Sequence, residues 1–139
     1  MRLISLTVLE RIILNKIKYI IDDKLDKSLH GFMGGKSTRD CFGEYMKTEP
    51  YMNVTTFVDL KSAFDIANRS IILEHLASLG VDGKLLTWIR GYLSNRYSKV
   101  FYKGNITDNY RLFELGTPQG GVLSPFLFNI LMDKLIKNL

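Results

Sequence analysis

At 139 residues, 46% of them hydrophobic and 12% aromatic, the chain is about one domain long and has the apolar content for a buried core, which excludes a disordered polypeptide. Nineteen Lys and Arg against fourteen Asp and Glu give a net charge of +5 and a pI near 9.3, which suits a polyanionic partner. The single cysteine, Cys41, excludes an intramolecular disulfide framework and points to a reducing intracellular compartment, nucleus or cytoplasm; no run approaches the roughly 20 apolar residues of a membrane span.

Taken in order, the apolar run Leu3 to Leu9 is too short for a signal peptide and is followed at once by Glu10 and Arg11. Leu6, Leu9, Ile13, Ile17 and Ile20 recur at steps of three and four, with Glu10, Arg11, Lys16 and Lys18 opposite, so residues 5–21 are expected as an amphipathic helix. Asp22 to Lys27 is expected as its solvated polar end, not a metal site. Gly31 to Thr38, GFMGGKST, imitates the end of a phosphate-binding Walker loop, but His30 stands where that loop requires its first Gly and no apolar strand leads in. Ser37 with Asp40 makes a capping box for a helix in which Cys41, Phe42, Tyr45 and Met46 share a face, Cys41 as a core residue; Pro50 ends it. His30 and His75 are expected as polar surface residues.

Val54, Thr56, Val58 and Leu60 alternate with Thr55, Phe57 and Asp59, the pattern of a strand buried on at least one face, and Ala63, Phe64 and Asp65 turn it into a helix. Asp59 ends that strand, where a carboxylate serves equally as a cap for the turn or as a reactive group presented by a sheet. Ile72, Leu76 and Leu79 mark one core helix stopped at Gly80, and Leu85 to Leu93 a second begun near Gly83. Asn95, Arg96 and Lys99 lead into Val100 to Tyr102, which with a turn at Lys103 to Asn105 and the returning Tyr110 to Leu115 form a hairpin that interleaves basic and aromatic residues; cross-strand packing and nucleic-acid contact both account for it. In GTPQGGVLSPFLFN, Gly116, Gly120 and Gly121 free the backbone, Pro118 stiffens the loop, and Ser124 as N-cap with Pro125 opens a last helix through Leu135.

FVDLKSAFD, ending in Phe64 and Asp65, followed some fifty residues later by GTPQG and SPFLFN, resembles the palm of a reverse transcriptase, most closely those of non-LTR retrotransposons. RLISL at the start and GFMGGKST resemble the family's two fingers motifs, with Leu3 in place of the usual Pro and Met33 in place of the usual Arg. The resemblance implies an α+β fold, fingers over about 1–50 and palm over about 51–139, an antiparallel sheet packed with helices, and RNA-directed DNA polymerase activity on RNA template, DNA primer and dNTPs.

It further implies a two-metal Mg²⁺ site in which Asp59 and the Leu60 carbonyl are ligands, and a nucleotide pocket formed by Phe64, Gln119 and Gly120. Phe64 would exclude a ribose 2′-hydroxyl. Arg2 would contact the triphosphate, with Lys36 as the nearest substitute for the missing second Arg, and Asp65 would support the turn. The family's adjacent pair of aspartates is expected shortly after the helix that closes near Leu139, so these 139 residues are expected to be inactive alone. The alternative is a non-catalytic nucleic-acid-binding module or an inert relic of a mobile element.

Overall fold

The computed structural model describes residues 4–47 and 54–139. Among the described residues six α-helices run in chain order as α1 (Ile4–Ile21), α2 (Thr38–Lys47), the single turn α3 (Ala63–Ile66), α4 (Arg69–Ser78), α5 (Gly83–Leu93) and α6 (Ser124–Ile136). Between α5 and α6 lie four short strands, β1 (Arg96–Ser98), β2 (Phe101–Tyr102), β3 (Asn105–Ile106) and β4 (Arg111–Phe113). The α+β class holds: helices build the core and the strands form two small antiparallel ladders, β1 with β4 and β2 with β3.

The core sits where α4, α5 and α6 meet the last turns of α1. Ile17, Ile21, Ile72, Leu76, Ile89, Leu93, Leu127 and Ile130 are all buried, each contributing on the order of 2 kcal/mol by leaving water. Asn68 caps α4 through its side-chain oxygen, which accepts from the amides of Ser70 and Ile71 at 3.0 and 3.3 Å. Gly80, at φ +99°, lets the chain reverse so that the Val81 amide returns to the Leu76 carbonyl at 3.0 Å.

Several expectations need correction. Residues 54–60 form no ladder and are exposed throughout, because a strand exists only where a second edge accepts its amides and none does among the described residues. The returning strand Arg111–Phe113 pairs with Arg96–Ser98 and not with residues 100–102, which instead close a tip hairpin on β3 across Lys103 (φ +48°) and Gly104 (φ +83°). Leu123, not Ser124, occupies the cap position of α6; the Ser124 hydroxyl donates to the Pro118 carbonyl at 2.5 Å. Cys41 is exposed, and so are its neighbours Phe42 and Met46 on α2. Pro50 lies outside the described residues.

The polar residues depart furthest from the periodicity reading. Glu10 is fully buried on α1, and its carboxylate accepts from the Val122 amide at 2.7 Å and the Leu123 amide at 3.4 Å, just before α6, where the helix N-terminus favours negative charge. His75 is also buried and shares a 2.6 Å hydrogen bond with Asp133. His30 is mostly covered and sits 3.1 Å from Glu44. The link after α1 is docked and not merely solvated: Lys24 donates to the Leu79 carbonyl at 2.7 Å, and the Asp26 amide donates to Asp133 at 2.6 Å.

Candidate active site

Two segments that sequence analysis singles out, 62–69 and 116–120, are fastened together. Ser62 adopts φ +54°, and the single turn of α3 that follows carries Phe64 and Asp65. The Gly116 amide donates to the Ala67 carbonyl at 2.8 Å, and the Thr117 amide donates to the Phe64 carbonyl at 2.9 Å. The Arg69 guanidinium closes the joint by donating to the carbonyls of Phe113, Leu115 and Gly116 at 2.7, 2.6 and 2.7 Å. A planar fork with five donors can take all three carbonyls from one position.

Gly116 is indispensable to this contact. Its φ is +83°, and a Cβ there would lie 2.7 Å from the Asp65 carbonyl oxygen and 2.8 Å from that of Phe64. Gly116→Ala is therefore expected to destabilise the domain by at least about 2 kcal/mol, from left-handed backbone strain and overpacking against rigid backbone. Gly120→Ala, at φ +76° but facing open space, should cost about 1 kcal/mol. Chemical denaturation of the two variants checks the order; equal losses would mean that the close approach at Gly116 does not matter.

The joint brings Phe64, Asp65, Pro118 and Gln119 together. The Gln119 side-chain amide donates to the Asp65 carboxylate at 2.8 Å, which orients Gln119. Pro118 is buried, while Gln119 and Gly120 are exposed. Phe64 is half-buried, with its ring 4.8 Å from that of Phe128 on α6 and 5.9 Å, edge-on, from Phe32. Phe32 holds a left-handed φ of +57°, strain of about 1–2 kcal/mol for a bulky side chain. Asn129 ties that loop down by donating to the Gly31 carbonyl at 2.5 Å. Phe64 is thus braced between the loop that carries Phe32 and the last helix.

The other expected site residues lie apart from this joint. Asp59 and Leu60 are on the exposed segment that precedes Ser62. Lys36 donates to the carbonyls of Lys27 and, at 2.8 Å, Leu29, and so pins its own loop. Arg2 lies outside the described residues. Among the described residues no group of three or more His, Cys, Asp or Glu side chains converges on a point that could hold a metal ion. Asp59 is nonetheless a hard oxygen donor, exposed and in no ion pair among the described residues, which fits one ligand of a divalent cation whose remaining ligands come from elsewhere.

Beside the joint opens a cleft of about 360 Å³ lined by Asp65, Arg69, Arg96, Tyr97, Thr117 and Gln119 among others. Burial, and then the nearby charge of Arg96, hold the Arg69 guanidinium below its ordinary pKa. Sequence analysis missed Arg69 and Thr117; Arg96 it placed only among the basic residues that lead into the hairpin. Arg69 lies 44 to 47 residues from the carbonyls it holds, and no local pattern encodes such a partnership.

Comparison with known proteins adds a family. A family model described as reverse transcriptase (RNA-dependent DNA polymerase) matches residues 1–139. The chain is 30% identical over 82 residues to a Retrovirus-related Pol polyprotein from type-1 retrotransposable element R2 of Popillia japonica, covering 59% of this chain and 13% of that protein. It is 28% identical over 137 residues to the Putative 115 kDa protein in type-1 retrotransposable element R1DM of Drosophila melanogaster, covering 95% and 13%. It is 29% identical over 129 residues to the Putative COX1/OXI3 intron 1 protein of Saccharomyces cerevisiae, covering 88% and 14%. The chain spans only 13 to 14% of the length of these relatives.

Proposed function

The chain belongs to the reverse transcriptase (RNA-dependent DNA polymerase) family, and from that membership we propose that it supplies the nucleotide-binding face and the first metal ligand of an RNA-directed DNA polymerase of a non-LTR retrotransposon. Residues of about 1–50 act as fingers and about 51–139 as palm. The observation that carries this reading is the joint itself, which brings the turn bearing Phe64 against the loop bearing Gln119 through two backbone hydrogen bonds and three from Arg69. Neither segment alone would form a pocket.

The reaction proposed is attack of a primer 3′-hydroxyl on the α-phosphorus of a dNTP with departure of pyrophosphate, directed by an RNA template. Asp59 and the Leu60 carbonyl would hold Mg²⁺, which when bound shields the triphosphate charge and favours the attacking alkoxide. Positioning falls to the protein's own groups. Gln119, oriented by Asp65, presents a side chain that both donates and accepts at the nucleotide, and Gly120 leaves open space beside it. Phe64 meets the sugar with bulk, braced from behind by Phe128. Arg2 and Lys36 are proposed for the triphosphate, Lys36 after exchanging its present carbonyl partners.

Primer extension on an RNA template tests the reading. The 139 residues by themselves should show none with Mg²⁺ or Mn²⁺, because one carboxylate does not make a two-metal centre. A chimera that appends the following palm and thumb segments of a relative should extend. Extension by the 139 residues, or none by a folded chimera, would overturn the proposal in its respective half. The exposed basic and aromatic hairpin favours a second reading, a nucleic-acid-binding module without catalysis, which a chimera that binds template but never incorporates dNTPs would support.

Sugar selection gives a sharper check. In the chimera, Phe64→Val should raise ribonucleotide use relative to deoxynucleotide by about 10- to 100-fold, since bulk is what rejects the 2′-hydroxyl and removing it leaves no polar group unpaired. The kcat/KM ratio for dNTP and rNTP measures this; an unchanged ratio would show that Phe64 only packs against Phe128 and Phe32.

A further inference from the structure

Phe32 is strained, and its burial does not offset the strain. Its φ is +57°, a conformation that a bulky L residue rarely adopts, although Gly31, Gly34 and Gly35 in the same loop would take it freely. The residue is 58% exposed, so little apolar surface leaves water in return. Backbone strain of this kind persists only where the surroundings over-determine it. Three contacts do so here: Lys36 donates to the Leu29 carbonyl at 2.8 Å, Asn129 of α6 donates to the Gly31 carbonyl at 2.5 Å, and Met33 packs against the core.

What the strain secures is a ring contact. The Phe32 ring meets that of Phe64 edge-on, with centroids 5.9 Å apart and planes at 74°, an arrangement that the ring quadrupoles favour. Phe128 meets Phe64 at 4.8 Å. Phe128 and Asn129 are consecutive, so one turn of α6 sets both braces, the first by its own ring and the second through the loop that Asn129 ties down. Phe64 itself stands on the single turn α3, shortly after the exposed segment 54–60. A support that short does not fix a side chain; the packing of its neighbours does.

We propose that Phe32 is a positioning residue for sugar selection, fixing the Phe64 ring against the sugar of the incoming nucleotide while Asn129 holds Phe32 in place, an assignment that rests on reading Phe64 as the residue that excludes a 2′-hydroxyl. Exclusion by bulk works only while the bulk cannot swing aside. With Phe128 on one side and nothing in place of Phe32, the Phe64 ring can turn away from a ribose and admit it. Phe32 acts through Phe64 and not on the nucleotide.

The polymerase chimera tests this through the ratio of kcat/KM for rNTP to that for dNTP, measured beside a thermal melt. Phe32→Ala and Phe32→Gly should both raise the ratio, by about 3- to 10-fold and to the same extent, because both remove the ring. Their stabilities should differ: Gly adopts φ +57° without strain, so Phe32→Gly should melt above Phe32→Ala. Asn129→Ala, which frees the Gly31 carbonyl, should shift the ratio in the same direction. Ile89→Val, a core change on α5 remote from the three rings, should lower the melting temperature and leave the ratio alone. Phe32→Gly combined with Phe64→Val should give no larger a ratio than Phe64→Val by itself, since a brace has no effect once the braced ring is gone. A ratio unmoved by Phe32→Gly while Phe64→Val shifts it would overturn the proposal, as would a ratio that follows melting temperature across Phe32→Gly, Phe32→Ala and Ile89→Val. Multiplied effects in the double variant would place Phe32 on the nucleotide itself and overturn it too. If Phe64→Val leaves the ratio unmoved, the reading of Phe64 fails first, so the two failures are distinguishable.

Discussion

In the completed polymerase chimera, Asp59→Ala should lower primer extension at least about 10³-fold while leaving the fold intact. The carboxylate is proposed to hold a cation that stabilises transition-state charge by several kcal/mol, and at about 1.4 kcal/mol per factor of ten that is three decades or more. Asp59 is exposed and in no ion pair or helix among the described residues, so its removal should shift stability by no more than about 0.5 kcal/mol. Asp59→Asn keeps the shape and one oxygen but not the charge, and should be nearly as damaging. Single-turnover extension beside a thermal melt separates the two effects. Activity that survives Asp59→Ala would remove Asp59 from the metal site, and a large drop in melting temperature would reassign it to the fold.

The largest stability effect is expected at Asp133. This carboxylate is fully buried in α6 and accepts from His75 of α4 at 2.6 Å, from the Asp26 amide at 2.6 Å and from Lys137 at 2.8 Å. Burial pushes its pKa up, but the hydrogen bonds from Lys137, the Asp26 amide and His75 outweigh that and hold it below the usual carboxylate value. Asp133→Ala leaves a buried imidazole and an amide without their acceptor and should cost about 3–5 kcal/mol, a large part of the stability of a domain of this size.

The same residue sets an acid limit. A carboxyl whose folded pKa lies below its unfolded value, about 3.9, stabilises the fold fully above that value and loses the contribution as the pH falls through the folded pKa. Wild-type stability should therefore decline below about pH 4–5, and part of that decline should vanish in Asp133→Asn, whose stability is already lower at neutral pH. Denaturation midpoints from pH 3 to 7 measure this. Parallel curves for wild type and variant would show that other carboxylates set the acid limit.

Much of the fold and of the family was determined by the sequence alone. Local spacing marked α1, α2, α4, α5 and α6 to within a few residues, the Ser37–Asp40 box forms with the Ser37 amide donating to Asp40 at 2.7 Å, and the paired motifs around Phe64 and Gln119 pointed to the right family. These features depend on neighbours three or four residues apart, or on two short motifs read together, and a linear chain displays both.

Only the tertiary structure decided what the polar residues do. Glu10 and His75 looked like solvent-facing positions, yet Glu10 receives amides 112 and 113 residues away and His75 a carboxylate 58 residues away; each is buried because a distant partner satisfies it. Residues 54–60 carry the alternation of a strand and pair with no other strand among the described residues, since a ladder needs a second edge as well as a favourable side-chain pattern. Arg69 and Thr117 read as ordinary residues of a helix start and a loop until the fold set 62–69 against 116–120. Only then did one become the fastener of the joint and the other an unsatisfied hydroxyl in a basic cleft, because long-range hydrogen bonding is specified by three-dimensional proximity and not by spacing along the chain.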